Sequence, residues 1–283
     1  MTNPVSACIA CGSTHAVPHL RGLLRCPSCT HVWADMRLSE DELRKIYSRD
    51  YFHGTEYANY ELEKKALERN FARRLRTIKA LFPQGGTLWE IGCAYGFFLK
   101  LASDFFSVAG CDISEHAAEY ARTQLGLSVT ATDYLELPVS GNGYNVVCLW
   151  DTIEHLQQPD LYITKAFQDL QAGGLICVST GDVGSLLARI RGEKWRLIHP
   201  PSHLHYFTQQ SIRTLLTKTG FTDINITYDP FYRHAGTVLR KLTEGSGSSL
   251  MKKLSAKFQD RSIFNFYFPL NTFDLMTVYG RKP

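Results

Sequence analysis

The chain has 283 residues, of which 44% are hydrophobic, enough to bury one large core and one small additional module. Its formal net charge of +4 is too small to predict nucleic-acid binding unless the basic residues cluster on one face. No apolar run approaches the roughly 20 residues that cross a bilayer, and the first residues lack the basic and apolar segments of a signal peptide. The expectation is a cytoplasmic protein without a membrane span.

Two CxxC pairs lie near the N-terminus, Cys8/Cys11 and Cys26/Cys29, with fourteen residues between them. Two such knuckles can bring four thiolates onto one tetrahedral Zn²⁺. Thioredoxin-like redox pairs are the alternative, but those follow a strand and precede a helix. We therefore predict a zinc ribbon over residues 1–36, in which the metal is structural because so small a fold lacks a core of its own. The other four cysteines lie in apolar runs, as is typical of buried thiols in a reducing compartment.

Residues 37–84 are predicted to form a helical linker or lid. Ser39 and Glu42 have the spacing of a helix capping box. From Tyr60 to Pro83, apolar residues recur every three, four or seven positions with basic residues between them. This pattern predicts an amphipathic helix that holds its basic side chains in solvent.

Residues 85–283 alternate short apolar runs with helical stretches, from TLWEIG and a helix after Gly96 to GGLICVST. Strands that are apolar at nearly every position are covered on both faces, and alternation with helices predicts a parallel sheet. The predicted fold class is therefore α/β, a doubly wound Rossmann-like sheet. A helix over 208–220 and two strands, FTDINITY and FDLMTVYGRK, should complete it.

The aromatic run Ile263–Phe273 is interpreted as an edge of the core beside the last strand. Two alternatives remain open for it. It can wall an apolar acceptor pocket, or it can pair two subunits, which would make the protein a homodimer.

In open α/β sheets, ligands bind at the carboxyl ends of the strands where the winding direction reverses. The first strand-to-helix turn, WEIGCAYG, lacks the third glycine of the dinucleotide pattern GxGxxG. Glu90 also disfavours a phosphate, because like charges about 4 Å apart cost about 4 kcal/mol at an effective dielectric near 20. The turn therefore predicts a cofactor with a positive end.

WEIGCAYG resembles the ExGxGxG signature of class I S-adenosylmethionine-dependent methyltransferases, and the resemblance extends from about Tyr47 to the C-terminus. It implies that Glu90 bonds near the amino acid end of S-adenosylmethionine. It also implies that Gly92 and Gly96 allow the backbone to approach the cofactor.

The same resemblance places an acid or an aromatic residue at the ends of the following strands. Asp112 would accept both ribose hydroxyls, and Asp133 would take the adenine amine. Asp151, with Trp150, would lie beside the methionine portion. The remaining predicted cofactor-binding residues are Ile113 and Tyr134.

Methyl transfer from a sulfonium needs an aligned acceptor and, for a hydroxyl or an acidic carbon, a base, most often histidine. The candidates are His155 in EHLQQPD and the cluster that contains His203 in HLHYFT. Both blocks resemble those of small-molecule methyltransferases of the ubiquinone-biosynthesis branch. Sugar C-methyltransferases have a similar block, EHLSYFS, whose histidine is the base, and this match assigns the role to His203. Ser202 stands where that block has its glutamate.

Other roles remain open for the neighbouring candidates. His155 is either catalytic or packed on the cofactor edge, and Glu154 with His155 can also hold a metal. His205 is predicted to be structural. Tyr51 resembles a tyrosine that closes over the site in the sugar enzymes, and helix packing is the alternative.

The sequence therefore predicts methyl transfer from S-adenosylmethionine to a small-molecule acceptor, with oxygen the first expectation and carbon the second. The alternative is a ribosomal RNA methyltransferase that binds RNA through the zinc ribbon, with the basic helix Lys64–Lys79 along the phosphates. Against it, the position where amino methylation of nucleic acid uses an Asn-Pro-Pro-Tyr motif reads WDTIEH here. A third hypothesis, a non-catalytic scaffold, is opposed by the retained histidines.

Overall fold

The computed structural model describes residues 7–20, 22–36, 38–39, 42, 60–238 and 266–283. Its helices are α1 (Tyr60–Leu81), α2 (Phe97–Ala102), α3 (Glu115–Leu125), α4 (Pro159–Asp169), α5 (Leu186–Arg191) and α6 (Gln209–Thr219). Its strands are β1 (Val17–Pro18), β2 (Leu23–Arg25), β3 (Val32–Ala34), β4 (Gly86–Ile91), β5 (Phe106–Asp112), β6 (Ser128–Ala131), β7 (Tyr144–Trp150), β8 (Leu170–Gly181), β9 (His205–Tyr206), β10 (Thr222–Thr227), β11 (Phe231–His234), β12 (Tyr267–Leu270) and β13 (Leu275–Arg281).

A seven-stranded sheet in the order β10-β13-β8-β7-β4-β5-β6 forms the centre of the molecule. Strands β4 to β8 are parallel to one another, whereas β13 is antiparallel to β8 and β10 is antiparallel to β13. The chain order reverses direction beside β4, whose neighbours are β5 on one side and β7 on the other. The doubly wound α/β arrangement is thus confirmed, and it locates the expected ligand crevice at the carboxyl end of β4.

The residues that form this sheet explain why it is covered on both faces. Val146, Val147, Cys148 and Leu149 are consecutive in β7 and all have 0% exposure, so side chains that point to opposite faces are equally buried. Capping residues mark where the helices begin and end. Thr208 and Ser211 form a capping box at the start of α6.

The N-terminal ribbon shares a four-stranded antiparallel sheet with the rest of the protein, in the order β1-β2-β3-β9. Val32 pairs with Tyr206 and Trp33 pairs with His205, so the fourth strand comes from the large α/β unit. Three of the four cysteines belong to the same buried cluster as Phe207. The boundaries near residues 36 and 84 stay a prediction, and the ribbon packs directly on the α/β unit.

Helix α1 packs on one face of the sheet through Leu75 and Ile78, and it contacts β11. The prediction that its basic side chains all face solvent was wrong for Arg73, whose guanidinium lies about 6 Å from the rings of Phe231 and Tyr232. The physical reason is that β11 covers this side of the helix, and aromatic faces attract the guanidinium. Arg76 and Lys79 are exposed as expected.

Two predictions made from local sequence have different outcomes. The capping box is confirmed, because the Ser39 N–H donates to Glu42 Oε2 at 2.8 Å and the Glu42 N–H donates to Ser39 Oγ at 3.3 Å. Tyr51 and residues 263–265 lie outside the described residues. In the part of the chain that is described, no helix has both the length and the apolar character needed to cross a membrane.

Candidate cofactor and acceptor site

A cavity of about 490 Å³ opens at the carboxyl ends of β4, β5 and β7, between these strands and the segment of α1 and β11 above them. It brings together residues that are far apart in the chain. All predicted cofactor-binding residues except Gly96 line it, namely Glu90, Gly92, Asp112, Ile113, Asp133, Tyr134, Trp150 and Asp151. The lining also includes both candidate bases, His155 and His203.

The two glycines of the first turn have different roles. Both have positive φ, 70° at Gly92 and 75° at Gly96. A Cβ on Gly92 would lie 2.6 Å from Thr152 in the segment after β7, whereas a Cβ on Gly96 would lie 2.6 Å from Leu127 and 3.2 Å from Ala121. Gly96 therefore allows α2 to pack against α3, and its predicted approach to the cofactor stays a prediction.

Asp112 is held rigidly at the end of β5. Its Oδ2 accepts from the Ala94 N–H at 2.8 Å, and its Oδ1 accepts from the Ser114 N–H at 2.9 Å. Burial raises the pKa of Asp112, and these two backbone donors oppose the rise. Each oxygen keeps a second lone pair, so the carboxylate can still accept from two hydroxyls.

Asp133 begins the turn after β6 and is oriented by a residue that the sequence analysis missed. Its Oδ2 accepts from the Tyr162 hydroxyl at 2.5 Å, and its Oδ1 accepts from the Leu135 N–H at 2.8 Å. The rings of Tyr134 and Tyr162 are stacked, with centroids 6.3 Å apart. Both tyrosines line the cavity beside this carboxylate.

Arg74 is the second residue that the sequence analysis missed. Its side chain is 5% exposed, and its Nη2 lies 2.9 Å from Asp151 Oδ2 and donates to Ser179 Oγ at 3.0 Å. Its guanidinium stacks 4.7 Å from the centroid of Trp150. A signal for it exists, because Arg74 lies between Phe71 and Ile78 on the apolar side of α1, where a charge needs a buried partner.

The acids beside Arg74 have pKa values shifted in opposite directions. Burial raises the pKa of Asp151, but the charge and hydrogen bond of Arg74 and the hydroxyl of Ser179 outweigh it, so the net shift is downward. Glu90 is 3% exposed, and burial raises its pKa well above the usual value although Arg74 opposes this. Its Oε2 has no hydrogen-bond partner among the described residues. A cationic or hydrogen-bond-donating ligand would satisfy it.

The two candidate bases, His155 and His203, lie next to each other in the cavity lining. His155 Nδ1 donates to the Ser202 carbonyl at 2.8 Å, and His203 Nδ1 donates to the Leu197 carbonyl at 2.9 Å, because a carbonyl can only accept. Each neutral ring therefore carries an unprotonated Nε2. The ring centroids are 4.5 Å apart. Burial lowers the pKa of His155 to about 4, and burial with the nearby His155 and His199 lowers that of His203 to about 2.

Glu154 adds a carboxylate to this pair. One ligand atom from each of Glu154, His155 and His203 lies within 4.8 Å of the others. Burial and the charge of Asp151 raise the pKa of Glu154 to about 8. Two imidazoles and one carboxylate are also a donor set that suits a divalent transition metal. His205, by contrast, lies outside the cavity lining and is buried, in agreement with its predicted structural role.

The four ribbon cysteines form a second cluster whose geometry fits zinc. Their sulfur atoms lie within 4.8 Å of one another, with Cys8 Sγ to Cys29 Sγ at 3.4 Å and Cys11 Sγ to Cys26 Sγ at 3.5 Å. A tetrahedral ion with 2.3 Å bonds separates its sulfur ligands by about 3.8 Å. Both knuckles close with the same backbone bond, Gly12 N–H to Cys8 O and Thr30 N–H to Cys26 O.

Known proteins resemble this chain in sequence and in fold. The profile of a family described as "Methyltransferase domain" matches residues 60–226. A ubiquinone biosynthesis O-methyltransferase of Cereibacter sphaeroides is 27% identical over 53% of this chain and 66% of its own length. One from Rhizobium etli is 31% identical over 41% of this chain and 48% of its own length. The chain thus spans less than two thirds of the length of these relatives.

A solved structure from Thermotoga maritima has the same fold. It is described as a S-adenosylmethionine-dependent methyltransferase, possibly a histamine N-methyltransferase. It superposes with a TM-score of 0.53 at 21% identity and covers 81% of this chain and 97% of that one.

Proposed function

Because the chain belongs to the methyltransferase family whose profile covers residues 60–226, we propose that it transfers the methyl group of S-adenosylmethionine to a hydroxyl of a small-molecule acceptor. The observation that carries the proposal is the convergence of four acids on one cavity. Glu90, Asp112, Asp133 and Asp151 lie at the carboxyl ends of four successive parallel strands, within the last residues or just after them, and all line it. Such a lining suits an adenosine linked to a cation and disfavours a diphosphate.

Different residues of the cavity would bind different parts of the cofactor. Asp112, with both oxygens already oriented by backbone donors, would hold the ribose. The adenine would lie beside Tyr134 and Asp133. Arg74 would pair with the cofactor's carboxylate, and Glu90 would accept from its amine.

On the acceptor side, we assign the base to His203, with His155 as the alternative. The unprotonated Nε2 would take the proton of the acceptor hydroxyl, and S-adenosylmethionine, when bound, would supply the methyl group and leave as a neutral thioether. The positive charge then resides on the imidazolium. Glu154, from another segment, lies close enough to stabilise this charge. It would thus replace the glutamate of the sugar enzymes, whose position is occupied here by Ser202.

Oxygen is proposed as the acceptor atom for two reasons. The unprotonated Nε2 of His203 can accept the proton that a hydroxyl must lose, and the curated relatives are named as O-methyltransferases. Carbon remains the second choice.

A metal-assisted reaction is the second candidate mechanism, because Glu154, His155 and His203 can also hold a divalent cation. Dialysis against a strong chelator distinguishes the metal-assisted mechanism from the proposed one. The proposed mechanism expects unchanged turnover by a chelated enzyme whose ribbon zinc, measured in the same sample, is retained.

The ribosomal RNA alternative finds little support in α1. Arg73 packs on aromatic rings and Arg74 is buried in an ion pair, so the helix does not present an unbroken basic row. A filter-binding salt series would detect phosphate contacts as a steep loss of RNA affinity with rising salt.

Isothermal titration tests the cofactor assignment. We expect S-adenosylhomocysteine to bind with one site per chain, and Asp112→Asn to weaken binding about 10-fold or more, because hydrogen bonds to a charged group contribute about 1.5–3 kcal/mol. Asp104→Asn, an exposed acid beyond α2, is the matched control and should bind normally. Absence of binding by the wild type at millimolar ligand would exclude the proposal.

We also propose that the four ribbon cysteines hold one structural Zn²⁺. Native mass spectrometry should show one zinc per chain, and Cys29→Ser should lose it together with several degrees of melting temperature, since binding and folding of such sites are coupled. Cys111→Ser, a buried thiol outside the ribbon, should keep the metal. A wild-type protein purified without zinc, and unable to take it up, would contradict this assignment.

A further inference from the structure

Two buried imidazoles connect the second cysteine knuckle to the α/β unit. His31 is 0% exposed and His205 is 4% exposed, and His31 Nε2 lies 3.1 Å from His205 Nδ1. On its other side, His205 Nε2 lies 3.3 Å from the carbonyl oxygen of Gln157. Both rings lie outside the lining of the large cavity, so neither belongs to the site described above.

The direction of these hydrogen bonds follows from the last acceptor. The Gln157 carbonyl can only accept, so His205 carries its proton on Nε2 and donates. A neutral His205 then accepts at Nδ1, and His31 donates from Nε2. The chain of bonds therefore runs in one direction, from His31 through His205 to Gln157.

This chain of bonds starts at the cysteine knuckle and ends at the catalytic segments. The Cys26 N–H donates to the His31 carbonyl at 2.8 Å. Gln157 lies two residues after His155, and His205 lies two residues after His203.

The two catalytic segments are also bonded to each other and to the ribbon. The Leu204 N–H donates to the Glu154 carbonyl at 2.8 Å, and the Ala34 N–H donates to the Leu204 carbonyl at 2.8 Å. Residues 153–157 and 203–206 thus share one hydrogen-bonded frame with strand β3.

We propose that His31 is a positioning residue for the reaction, because its hydrogen bond to His205 fixes segment 203–206 against segment 153–157 and so sets the distance between the two candidate bases. It touches neither cofactor nor acceptor and acts through His205. The catalytic part of the proposal rests on the proposed function, whereas its structural part concerns only the two segments. On this view the ribbon supports the acceptor site from outside the cavity.

The hydrogen bond between His31 and His205 has a large effect because both rings are buried. Without the donor, His205 Nδ1 becomes an unpaired acceptor with no access to water, and its ring shifts toward another partner. Displacement of a catalytic group by about 1 Å costs about 100-fold in rate. Cofactor affinity should not change, because Asp112 and Asp133 are held by other bonds.

Two substitutions of one residue test the proposal. His31→Phe removes the donor but keeps a ring that packs against Trp33 and Phe207. His31→Gln places an amide N–H near the position of Nε2 and should rescue. His15→Phe, at an exposed histidine of the same ribbon, is the matched control.

The first readout is amide hydrogen exchange, which needs no acceptor. In His31→Phe we expect exchange at Leu204 to accelerate at least about 10-fold while exchange at Ala94 stays within about twofold. Affinity for S-adenosylhomocysteine should also stay within about twofold. With protocatechuate as the probe acceptor, kcat should fall about 10- to 100-fold with a smaller change in KM, and His31→Gln should recover most of it.

The outcomes that overturn the proposal are distinct from those that overturn the proposed function. Unchanged exchange at Leu204 in His31→Phe excludes the positioning role, and so does acceleration at Ala94 to the same extent, which reports general destabilisation. If the wild type does not methylate the probe, the exchange result alone decides the positioning role. Should His31→Phe not fold, His205→Phe cuts the same chain of bonds and is expected to give the same pattern.

Discussion

His203→Asn should lower kcat by about 100- to 10,000-fold, the range typical of losing a general base, while S-adenosylhomocysteine binds as before. Asparagine suits the test because its amide can still donate to the Leu197 carbonyl, as His203 Nδ1 does, but offers no basic nitrogen at the position of Nε2. The folded position of the loop is thus kept while the proton acceptor is lost. Steady-state kinetics with protocatechuate and calorimetry of the cofactor product provide the two measurements.

Two comparisons make this result decisive. His116→Asn, at an exposed histidine of α3, should behave as the wild type. His155→Asn should reduce turnover less than His203→Asn. The reverse order would transfer the role of base to His155, and wild-type rates in both variants would remove the histidine pair from the mechanism.

The pH profile gives the same mechanism a second test. Because burial lowers the pKa of His203 to about 2, its Nε2 is unprotonated throughout the range from about pH 5 to about pH 8. Protonation of this base should therefore not reduce turnover in that range. Glu154, with a pKa raised to about 8, gains its negative charge as the pH rises, so turnover should increase toward pH 9. Glu154→Gln should flatten this rise.

Arg74→Met should weaken S-adenosylhomocysteine binding about 10- to 150-fold, the equivalent of a lost charge-assisted hydrogen bond of about 1.5–3 kcal/mol. Methionine keeps the length of the arginine stem and places an apolar end near the rings of Phe71 and Trp150, over which the guanidinium lies. What it removes is the donor to Asp151 and Ser179. The pKa values of Asp151 and Glu90 should both rise, since Arg74 holds each of them down.

Arg76→Met, two residues further along α1 and exposed, is the matched control for Arg74→Met. Arg74→Lys should rescue only in part, because an ammonium cannot reproduce the planar donor set that reaches two acceptors. Unchanged affinity in Arg74→Met would show that the arginine is only a structural partner of Asp151. A loss of melting temperature without a loss of affinity would lead to the same conclusion.

The sequence contains enough local information to predict the α/β sheet and most of its helices. Alternating apolar runs and capping residues such as Ser114 and Gly220 act over a few positions, so a pattern of short range predicts them. The four acids at strand ends were found for the same reason, since their place follows from the strand pattern. Tetrahedral ligation by the cysteines was inferred from spacing alone, and the sulfur positions fit it.

Other features depend on contacts between distant segments, and local patterns do not contain them. The pairing of β3 with the two-residue strand β9 leaves no periodic signal in HLHYFT. The approach of Glu154 to His203 arises because the segments after β7 and before α6 meet over the sheet. Arg74 had a signal, a charge on the apolar side of α1, but identifying its partner required the fold.

Strand β9 is synthesised long after β3, so β3 lacks its partner strand for part of the time that synthesis takes. The ribbon's sheet pairs β3 with residues that follow it by about 170 positions, and a ribosome that adds about 5–20 residues per second needs roughly 10 to 30 s to supply them. Throughout this interval the edge of β3 is unpaired, and unpaired edges promote aggregation. A nascent chain that has already bound its metal would be more compact during this interval. Growth with scarce zinc should therefore lower the yield of soluble protein before it affects the folded protein.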